Sequence, residues 1–361
     1  MTTAAKARHI PIRPEWLAQH VEAPIEPDFP IIDAHHHLWD KPGARYLFEE
    51  MAADLASGHN VVATISAEGK TGFWTGGPEH LRPAGETEMI AALAQRCVAE
   101  TGSRVRIAAG IVGYVDLSVG QAAGDALGRH AEVSGGRLGG IRDTSAWHAD
   151  PEARGSVILP PPGKLYDPGF RRGLAELTRR NLVFDAWMYH TQLNELADLA
   201  HAAPDTRFVL NHQGGPIGIG PYAGRRAEVF DDWLYFMKKL AGFDNISVKL
   251  GGFGMLMSGF PFAEHPVPAD SSQLADAWAP YMRACIELFG AARCMFESNF
   301  PVDKGTASYC TVWNAFKKIV ADGSPTERHE LFFGCANRTY GLGLELDETI
   351  PRAAGSEASG R

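Results

Sequence analysis

Cysteine is scarce in this chain: five residues among 361, each standing alone and with no Cys-x-x-Cys pair. An odd, dispersed set does not suggest a disulfide framework, and it lacks the paired thiolates of a structural zinc site. Single thiols of this kind are typical of reduced, buried side chains, so the sequence predicts a cytoplasmic protein.

Positive charge and long apolar runs are also lacking. Lys and Arg number 34 against 43 Asp and Glu, a net charge of −9, and no run of basic residues occurs. Nucleic acid is therefore not expected as a partner, because a phosphate backbone requires a basic surface. No stretch approaches the roughly 20 apolar residues that span a bilayer, so no membrane partner is expected either, and no signal peptide is predicted. A small molecule is the expected partner, and a homo-oligomer is left open.

What the chain does contain is a repeated pattern of short apolar runs, each followed by a turn and a helical segment. Eight strands that alternate with helices predict a parallel sheet closed into a (β/α)₈ TIM barrel. We assign the barrel to residues 30–345, with an N-terminal extension at 1–29 and a C-terminal tail at 346–361. The predicted strands are Ile31–Leu38, Val61–Ser66, Val105–Val112, Leu138–Arg142, Leu182–Met188, Arg207–His212, Ile246–Leu250 and Cys294–Asn299.

Three long connections, rich in glycine and proline, follow the second, fourth and seventh predicted strands. They leave the C-terminal ends of the strands, where barrel enzymes assemble their active sites. Long loops on this face predict a covered pocket. The three are Glu68–Glu86, Asp143–Pro168 and Gly251–Gln273.

Aromatic and methionine side chains crowd the last of these loops. They either form a small core beneath the loop or give an apolar wall for a ring-bearing substrate. Trp39, in the loop after the first strand, is assigned to the substrate pocket, which favours the wall. The side chains in the seventh loop are Phe253, Met255, Met257, Phe260 and Phe262.

The segment Asp33-Ala34-His35-His36-His37 ends the first predicted strand. Because side chains alternate along a strand, Asp33, His35 and His37 should share one face, with His36 on the other. Two imidazoles two residues apart at the mouth of a barrel can hold one metal ion or one polarised substrate oxygen. We therefore predict His35 and His37 as catalytic residues and as metal ligands if an ion binds.

The run from Ile31 to Trp39 resembles the opening motif of the amidohydrolase superfamily, in particular its amidohydrolase-2 branch. Residues 208–215 resemble the Asn-His-x-Gly element of the sixth strand in that branch, and residues 294–301 resemble the element of the eighth strand. The similarity extends from Pro30 to about Leu342. The resemblance implies a TIM barrel and a hydrolytic reaction. The branch includes sugar lactonases, 2-pyrone-4,6-dicarboxylate lactonase and aromatic-acid decarboxylases, so the resemblance leaves the substrate open.

Further candidates lie at other strand ends. His212 closes the sixth predicted strand and is followed by two glycines, which let a ligand approach the backbone, so it is predicted to orient water or polarise a carbonyl. Arg142 ends the fourth strand and suits a bidentate grip on a substrate carboxylate, or an ion pair that supports the barrel. His190, after the fifth strand, is equally open as a ligand and as a loop residue. Lys249 on the seventh strand is expected to form a structural ion pair.

The eighth predicted strand departs from the superfamily pattern. The usual aspartate, a metal ligand or the base that takes the proton of water, is replaced by Asn299. An amide accepts no proton at neutral pH, so Asn299 is predicted to donate a hydrogen bond to the oxyanion instead. The carboxylates that can take over are Glu297, one layer deeper on the same face, Asp33 and Asp303.

The same comparison bears on the metal. The lysine that bridges two ions in binuclear relatives is absent from residues 138–144, so at most one ion is expected. His35 and His37, with His190 or Glu297 as further candidates, would hold one zinc or manganese ion. A metal-free site is an equal alternative, because the resemblance extends to lactonases that work without metal.

Together these features predict a carboxylic-ester hydrolase that opens a lactone, or a similar C–O bond, in a small ring-containing acid. Two alternatives stay open. One is a metal-dependent decarboxylase of an aromatic or enol acid on the same barrel. The other is a binding protein that kept the pocket and lost the base, an idea that rests on Asn299.

Overall fold

A computed structural model describes residues 9–41, 43–101, 105–156 and 158–345. Eight parallel strands form one sheet, in which each strand pairs with the next one along the chain. We number them β1 to β8: Ile31–His36, Val61–Ala67, Arg106–Gly113, Leu138–Arg142, Val183–Ala186, Arg207–Leu210, Ile246–Leu250 and Cys294–Phe296.

One long helix follows each strand, and the eight surround the sheet as α1 to α8. They are Phe48–Leu55, Ala84–Thr101, Ala123–Val133, Pro168–Arg179, Leu193–Ala202, Arg226–Ala241, Ser271–Phe289 and Tyr309–Ile319. Shorter helices are Pro14–Leu17, Pro325–His329 and Cys335–Thr339, with a π-helical turn at Glu330–Gly334, and a small antiparallel hairpin pairs Trp39–Lys41 with Ala44–Tyr46.

The start of α4 illustrates how the sequence sets these helices. Asp167 precedes the helix and its side chain accepts the Phe170 N–H at 2.7 Å, while Pro168 occupies the first turn. Phe170 and Leu174 then recur on one face and are buried, and Phe170 contacts Phe184 of β5 with ring centroids 5.5 Å apart. Capping and spacing thus direct the apolar face of α4 onto the sheet.

Small and branched side chains fill the interior of the barrel. They come from strands all around the ring and pack onto Cys335, Ala336 and Tyr340 near the chain's end. The contributing strand residues are Ile32, Ala34, Ala63, Ile65, Ala67, Val112, Val183, Val209 and Met295.

Backbone hydrogen bonds between β1 and the segment after β8 close the ring. The His37 N–H donates to the Phe300 carbonyl at 2.7 Å, and the Asn299 N–H donates to the His35 carbonyl at 2.9 Å. His36 and Phe300 form an isolated parallel bridge at the same seam. Closure of the barrel therefore brings the predicted site residues of the first and eighth strands together.

The predicted TIM barrel is confirmed, since each strand overlaps its predicted segment. The long connections after β2, β4 and β7 are also present, at residues 68–83, 143–167 and 251–270. Four predicted strands end two or three residues earlier than expected: the observed last residues are His36 in β1, Ala186 in β5, Leu210 in β6 and Phe296 in β8. The predicted last residues of β6 and β8, His212 and Asn299, have φ of 53° and 54°, in the left-handed region where a strand does not continue.

The described part of the N-terminal extension lies against the barrel. Lys317 Nζ of α8 donates to the carbonyls of Ile25 and Glu26, at 2.7 and 2.8 Å, and the Arg13 guanidinium donates to the Ala263 carbonyl at 2.6 Å. Residues 1–8 and the predicted tail at 346–361 lie outside the described residues. Within the described ranges, no helix has the length and apolar character needed to cross a bilayer.

Candidate active site

His35 and His37 meet at the mouth of β1. Their Nε2 atoms are 3.2 Å apart, and their ring centroids 4.8 Å. His36 turns away from them, and its Nε2 lies 2.8 Å from Thr64 Oγ1 of β2. The predicted division of the three histidines, two together and one apart, is therefore what the structure has.

Both imidazoles of this pair are neutral near pH 7. Burial lowers the pKa of His35 and of His37 well below the usual value, and the nearby Arg142 cation lowers both further. The Nδ1 of His37 lies 3.1 Å from the carbonyl oxygen of Ala67, which can only accept a hydrogen bond. We therefore assign the ring hydrogen of His37 to Nδ1, which leaves an electron pair on Nε2.

Glu297 lies between His212 and His35 and is fully buried. Its Oε1 is 2.5 Å from His212 Nδ1 and 3.2 Å from the His212 backbone nitrogen. Its Oε2 is 3.2 Å from His35 Nδ1. Because a carboxylate accepts hydrogen bonds, the His212 ring is assigned a hydrogen on Nδ1 and an electron pair on Nε2. Oε2 has no hydrogen-bond partner among the described residues. Of the carboxylates proposed from the sequence, Glu297 is the one in contact with histidine rings.

Arg142 lies on the opposite side of His35. Its Nη1 is 3.2 Å from His35 Nε2, to which it donates. Its Nε donates to Glu68 Oε1 at 2.8 Å, and its Nη2 donates to the Glu68 backbone carbonyl at 2.9 Å. The guanidinium edge that would grip a substrate carboxylate is thus occupied by Glu68. The ion-pair alternative for Arg142 is the one the structure contains, and Nη1 is the group left facing the histidines.

Lys249 forms the expected buried ion pair. Its Nζ donates to Asp185 Oδ2 at 2.6 Å, and Asp185 also accepts hydrogen bonds from Asn211 at 3.0 Å and Tyr340 at 2.7 Å. The same Nζ lies 3.4 Å from His35 Nδ1. Positive charge therefore stands beside both ring nitrogens of His35, from Lys249 at one and from Arg142 at the other.

The predicted position of Asp33 is wrong. Its carboxylate accepts the Ser298 N–H at 2.8 Å, the Ser298 hydroxyl at 2.6 Å and the Tyr309 hydroxyl at 2.9 Å. The pairing of β1 with β2 shifts register between Asp33 and His36, so the strict alternation that put Asp33 beside His35 is interrupted. Asp33 ties strand ends together, and its contact with His35 is to the backbone N–H at 3.3 Å and not to the ring.

His190 does not join the histidine cluster, which corrects its candidacy as a metal ligand. Its Nδ1 accepts the Ile217 N–H at 3.3 Å, and its ring lies against Tyr222 with centroids 5.1 Å apart. Burial lowers the pKa of His190 to about 4, so it is neutral at pH 7. Of the two alternatives for His190, the loop residue is the one that the structure contains.

Asn299 is buried beside Asp303. Its Nδ2 donates to Asp303 Oδ1 at 2.7 Å, and the Gly254 N–H donates to Asp303 Oδ2 at 2.9 Å. Burial raises the pKa of Asp303 to about 8. One N–H of the Asn299 amide is therefore committed to Asp303, and one remains for the predicted contact with an oxyanion.

The aromatic side chains around the site divide into two groups. Trp39 stacks on His37, with centroids 5.1 Å apart and 20° between the planes, and Trp187 meets His212 edge-on at 4.8 Å. Phe253 and Phe262 of the seventh loop instead pack against Trp278 of α7, with centroids 6.2 and 6.5 Å apart. Of the two alternatives for those phenylalanines, the small core is therefore the one that the structure contains, and the rings that contact the histidines are the two tryptophans.

The donor atoms fit one metal ion. His35, His212 and Glu297 offer ligand atoms that all lie within 4.8 Å of one another. Two imidazoles and a carboxylate suit zinc or manganese. Neither His37 nor His190 belongs to that group of three, although the Nε2 atoms of His35 and His37 face each other at 3.2 Å. This group shares His35 and Glu297 with the ligands predicted from the sequence and adds His212.

Two residues of the site were not predicted from the sequence. Glu68 holds Arg142, and Trp187 lies against His212. Glu68 directly follows β2, just as His37 directly follows β1. Its position at the C-terminal end of a strand could therefore have identified it as a site residue. Trp187 directly follows β5 and carries the same signal.

Comparison with known proteins gives consistent matches over most of the chain. Residues 32–342 match the Amidohydrolase family. Protein y4mH of Sinorhizobium fredii is 33% identical over 335 residues, which cover 87% of this chain and 99% of that protein. An L-fucono-1,5-lactonase of Burkholderia ambifaria is 27% identical over 323 residues, covering 86% and 94%. The crystal structure of an amidohydrolase from Burkholderia multivorans with bound HEPES has a TM-score of 0.66 and 25% identity, covering 87% and 100%. A second crystal form of that amidohydrolase contains bound zinc, at the same TM-score and 24% identity.

Proposed function

This chain belongs to the amidohydrolase family, and from that premise we propose that it hydrolyses a cyclic ester. Family membership supports an enzyme, and the relatives named L-fucono-1,5-lactonase support ring opening of a lactone. The site adds a base, an electrophile and a set of acceptors for water, which are the groups that ester hydrolysis requires.

One observation carries the proposal: His212 is backed by a buried carboxylate, and Arg142 points at the neighbouring histidine. Glu297 Oε1 lies 2.5 Å from His212 Nδ1, so the opposite ring nitrogen is free to take a proton. The carboxylate then stabilises the imidazolium that forms, as in other carboxylate–histidine pairs. Arg142 Nη1, 3.2 Å from His35 Nε2, is a cationic donor within the same cluster.

In the proposed reaction, water donates a hydrogen to Nε2 of His212 while its oxygen attacks the carbonyl carbon of the ring. His37, with its bare Nε2, accepts the second hydrogen of the water and orients it. Arg142 and the remaining N–H of Asn299 donate to the carbonyl oxygen as it becomes an oxyanion. When the tetrahedral species collapses, the bond from the carbonyl carbon to the ring oxygen breaks, and His212 returns its proton to that oxygen.

A divalent ion held by His35, His212 and Glu297 would, when bound, polarise a carbonyl and lower the pKa of water. The residues provide positive charge without it. Arg142 and Lys249 lie within hydrogen-bonding range of the two ring nitrogens of His35, at 3.2 and 3.4 Å. We therefore propose at most one ion per chain and hydrolysis that does not depend on it.

The charges around the site favour an uncharged ring. Arg142 is paired with Glu68 at 2.8 Å, and Lys249 with Asp185 at 2.6 Å. Lys164, in the fourth loop, is paired with Asp143 at 2.5 Å. A substrate carboxylate would have to compete with these buried anions, whereas the lactone of a sugar acid carries no charge until its ring opens. Sugar-acid lactones are therefore the first substrates to test.

The test is a panel of substrates given to freshly purified protein whose metal content has been measured. We expect release of one proton per turnover from a sugar-acid lactone, incorporation of ¹⁸O from labelled water, at most one ion per chain, and activity that survives chelation. Carbon dioxide release from aromatic acids without lactone opening would replace the proposal with the decarboxylase. Turnover of neither class, with tight binding of a lactone, would favour the binding protein.

A further inference from the structure

Residues 9–16 of the N-terminal extension, called the strap below, lie on the face of the barrel that carries the candidate site. The Arg13 Nη2 donates to the Ala263 carbonyl at 2.6 Å, and the Trp16 Nε1–H donates to the His265 carbonyl at 3.1 Å. Both acceptors belong to the long connection after β7, which leaves the C-terminal end of that strand. The strap is therefore fixed at one end to a connection of the site face.

The middle of the strap packs on the connection after β8. A Cβ built on Gly305 would overlap the backbone oxygen of Ile10 and lie 2.8 Å from its Cβ, so glycine is what lets the strap come this close. Gly305 ends the short helical turn that starts at Asp303, whose carboxylate accepts the Asn299 amide at 2.7 Å. The strap thus rests on the segment that holds Asn299.

The other end of the strap contacts Trp39, which directly precedes the hairpin turn after β1. The His9 ring stacks on the indole, with centroids 5.8 Å apart and 23° between the planes. Trp39 in turn stacks on His37 at 5.1 Å, and Lys41 Nζ lies 4.0 Å from the centroid of the indole. Trp39 is buried, with 4% of its surface exposed. One tryptophan therefore contacts a histidine of the site and a histidine of the strap.

These contacts cross the seam at which the barrel closes. β1 and β8 are joined by an isolated bridge between His36 and Phe300 and by the backbone hydrogen bonds of His37 and Asn299. The strap adds contacts to the connections after β1, β7 and β8, which are consecutive in the ring. A site residue keeps its geometry only when packing fixes its own side chain, and here the strap supplies packing that the barrel does not.

We infer that the strap is part of the active site and that His9 is a positioning residue, which holds Trp39 against His37 by ring stacking. Burial, and then the charge of Lys41, lower the pKa of His9, so it stacks as a neutral ring near pH 7. The kinetic consequence rests on the proposed function, in which His37 orients the attacking water. The stacking itself does not depend on which substrate is turned over.

The experiment compares His9→Ala with His9→Phe in the full chain. Alanine removes the ring from the indole, whereas phenylalanine keeps an uncharged ring that can stack. On the best lactone, kcat/KM of His9→Ala should fall about tenfold, less than the hundredfold that a misplacement of about 1 Å can cost, and His9→Phe should recover most of the loss. The ring signals of His37, followed by NMR in protein labelled with ¹³C in histidine and assigned with His37→Gln, should shift in His9→Ala and stay in place in His9→Phe.

Gly305→Ala displaces the strap without changing its sequence, because the new Cβ meets the Ile10 backbone. It should shift the His37 signals and lower kcat/KM as His9→Ala does. The matched controls are Gly128→Ala, where a Cβ meets nothing within 4 Å, and His20→Ala, whose ring contacts Glu22 at 3.0 Å. Both controls should leave the His37 signals and the kinetics as in the parent. If Gly305→Ala does not fold, His9→Ala decides alone, since His9 is exposed.

Unchanged His37 signals in His9→Ala would overturn the inference, and a lower melting temperature with unchanged kinetics would assign the strap to stability alone. Equal losses from His9→Ala and His9→Phe would also overturn it, because the imidazole would then act through its nitrogens and not by stacking. Shifted His37 signals in a variant whose parent hydrolyses no lactone would support the inference and refute the proposed function, so the two can fail separately.

Discussion

The two sides of the site hold their histidines with different acceptors. On the Glu297 side, which comprises Glu297 and His212, the ring directs Nδ1 at a carboxylate oxygen 2.5 Å away. On the Ala67 side, His37 directs Nδ1 at the backbone carbonyl of Ala67, 3.1 Å away, and has a cationic neighbour in Arg142. The rings are alike in type and burial, and what distinguishes them is the charge of the group behind each one.

This difference separates a base from an orienting residue. When an imidazole takes a proton, a carboxylate at its other nitrogen stabilises the new charge, whereas a carbonyl offers a dipole only. Burial and Arg142 keep the pKa of His37 well below its usual value, so His37 holds a proton poorly. His212 therefore suits proton transfer, and His37 suits holding water by hydrogen bonds.

The largest expected effect on kcat comes from removing the base, and it tests the difference between His212 and His37. We expect His212→Gln to lower kcat on the best lactone by about a thousandfold, within the 10²–10⁴ that a positioned base contributes. His37→Gln should lower it by roughly ten- to a hundredfold, because the glutamine oxygen can still accept a hydrogen bond from water. Both variants are compared with the parent by kcat and KM, measured over a range of lactone concentrations.

The control for this pair is His36→Gln, on the neighbouring histidine outside the site. Its ring contacts Thr64 at 2.8 Å, so the change should lower stability and leave kcat of the folded protein close to the parent's. Equal losses from His212→Gln and His37→Gln would remove the distinction between the two sides, and a larger loss from His37→Gln would reverse it.

The parts of this site that the sequence predicted are those set by local geometry. Histidines two residues apart on a strand share a face, so the contact of His35 with His37 and the separate direction of His36 follow from alternation. The barrel followed from eight repeats of one pattern, and its strand order gave His212 a position at the same mouth. None of these depends on how distant segments align.

The predictions about the site that were wrong or missing depend on strand register and on contacts between residues distant in the chain. Asp33 was misplaced because β1 shifts register just after it, which no spacing in the chain reveals. Glu68 and Arg142 are 74 residues apart, and Glu297 and His212 are 85 apart. Glu297 was placed one layer deeper than Asn299 on the same face, and no spacing in the chain reveals that it contacts His212. The left-handed turn at Asn299 directs its amide to Asp303.

Asn299→Asp gives a smaller effect and sharpens the role of Glu297. A carboxylate at position 299 would stand 2.7 Å from Asp303, whose pKa burial already raises to about 8. It would also remove an amide donor, and losing a donor to an oxyanion costs about a hundredfold or more. We expect kcat to fall by that order, and Asn299→Ala to fall similarly without the added repulsion. An Asn299→Asp protein as active as its parent, with raised metal occupancy, would show instead that this position is a metal ligand and that Glu297 does not replace it.

The smallest effect concerns stability and a buried carboxyl group on the Ala67 side. Glu86 Oε1 accepts the N–H groups of Gly69 and Thr71, at 2.7 and 3.4 Å, while Oε2 has no hydrogen-bond partner among the described residues. Burial, and then the charge of Glu68, raise the pKa of Glu86 from 4.5 to about 8. The folded chain therefore keeps this proton up to about pH 8, and the unfolded chain releases it near pH 4.5.

Because the unfolded state binds fewer protons in that window, stability falls as pH rises from about 4.5 to 8. Glu86→Gln keeps the accepting oxygen and removes the titration, so the free energy of unfolding of the variant relative to the parent should rise by about 1 kcal/mol or more between pH 5.5 and pH 8. Urea unfolding at the two pH values measures it, with Glu79→Gln, an exposed carboxyl group of the same loop, as the control that should show no such rise. A pH-independent difference for Glu86→Gln would mean that Glu86 is ionised in the folded protein.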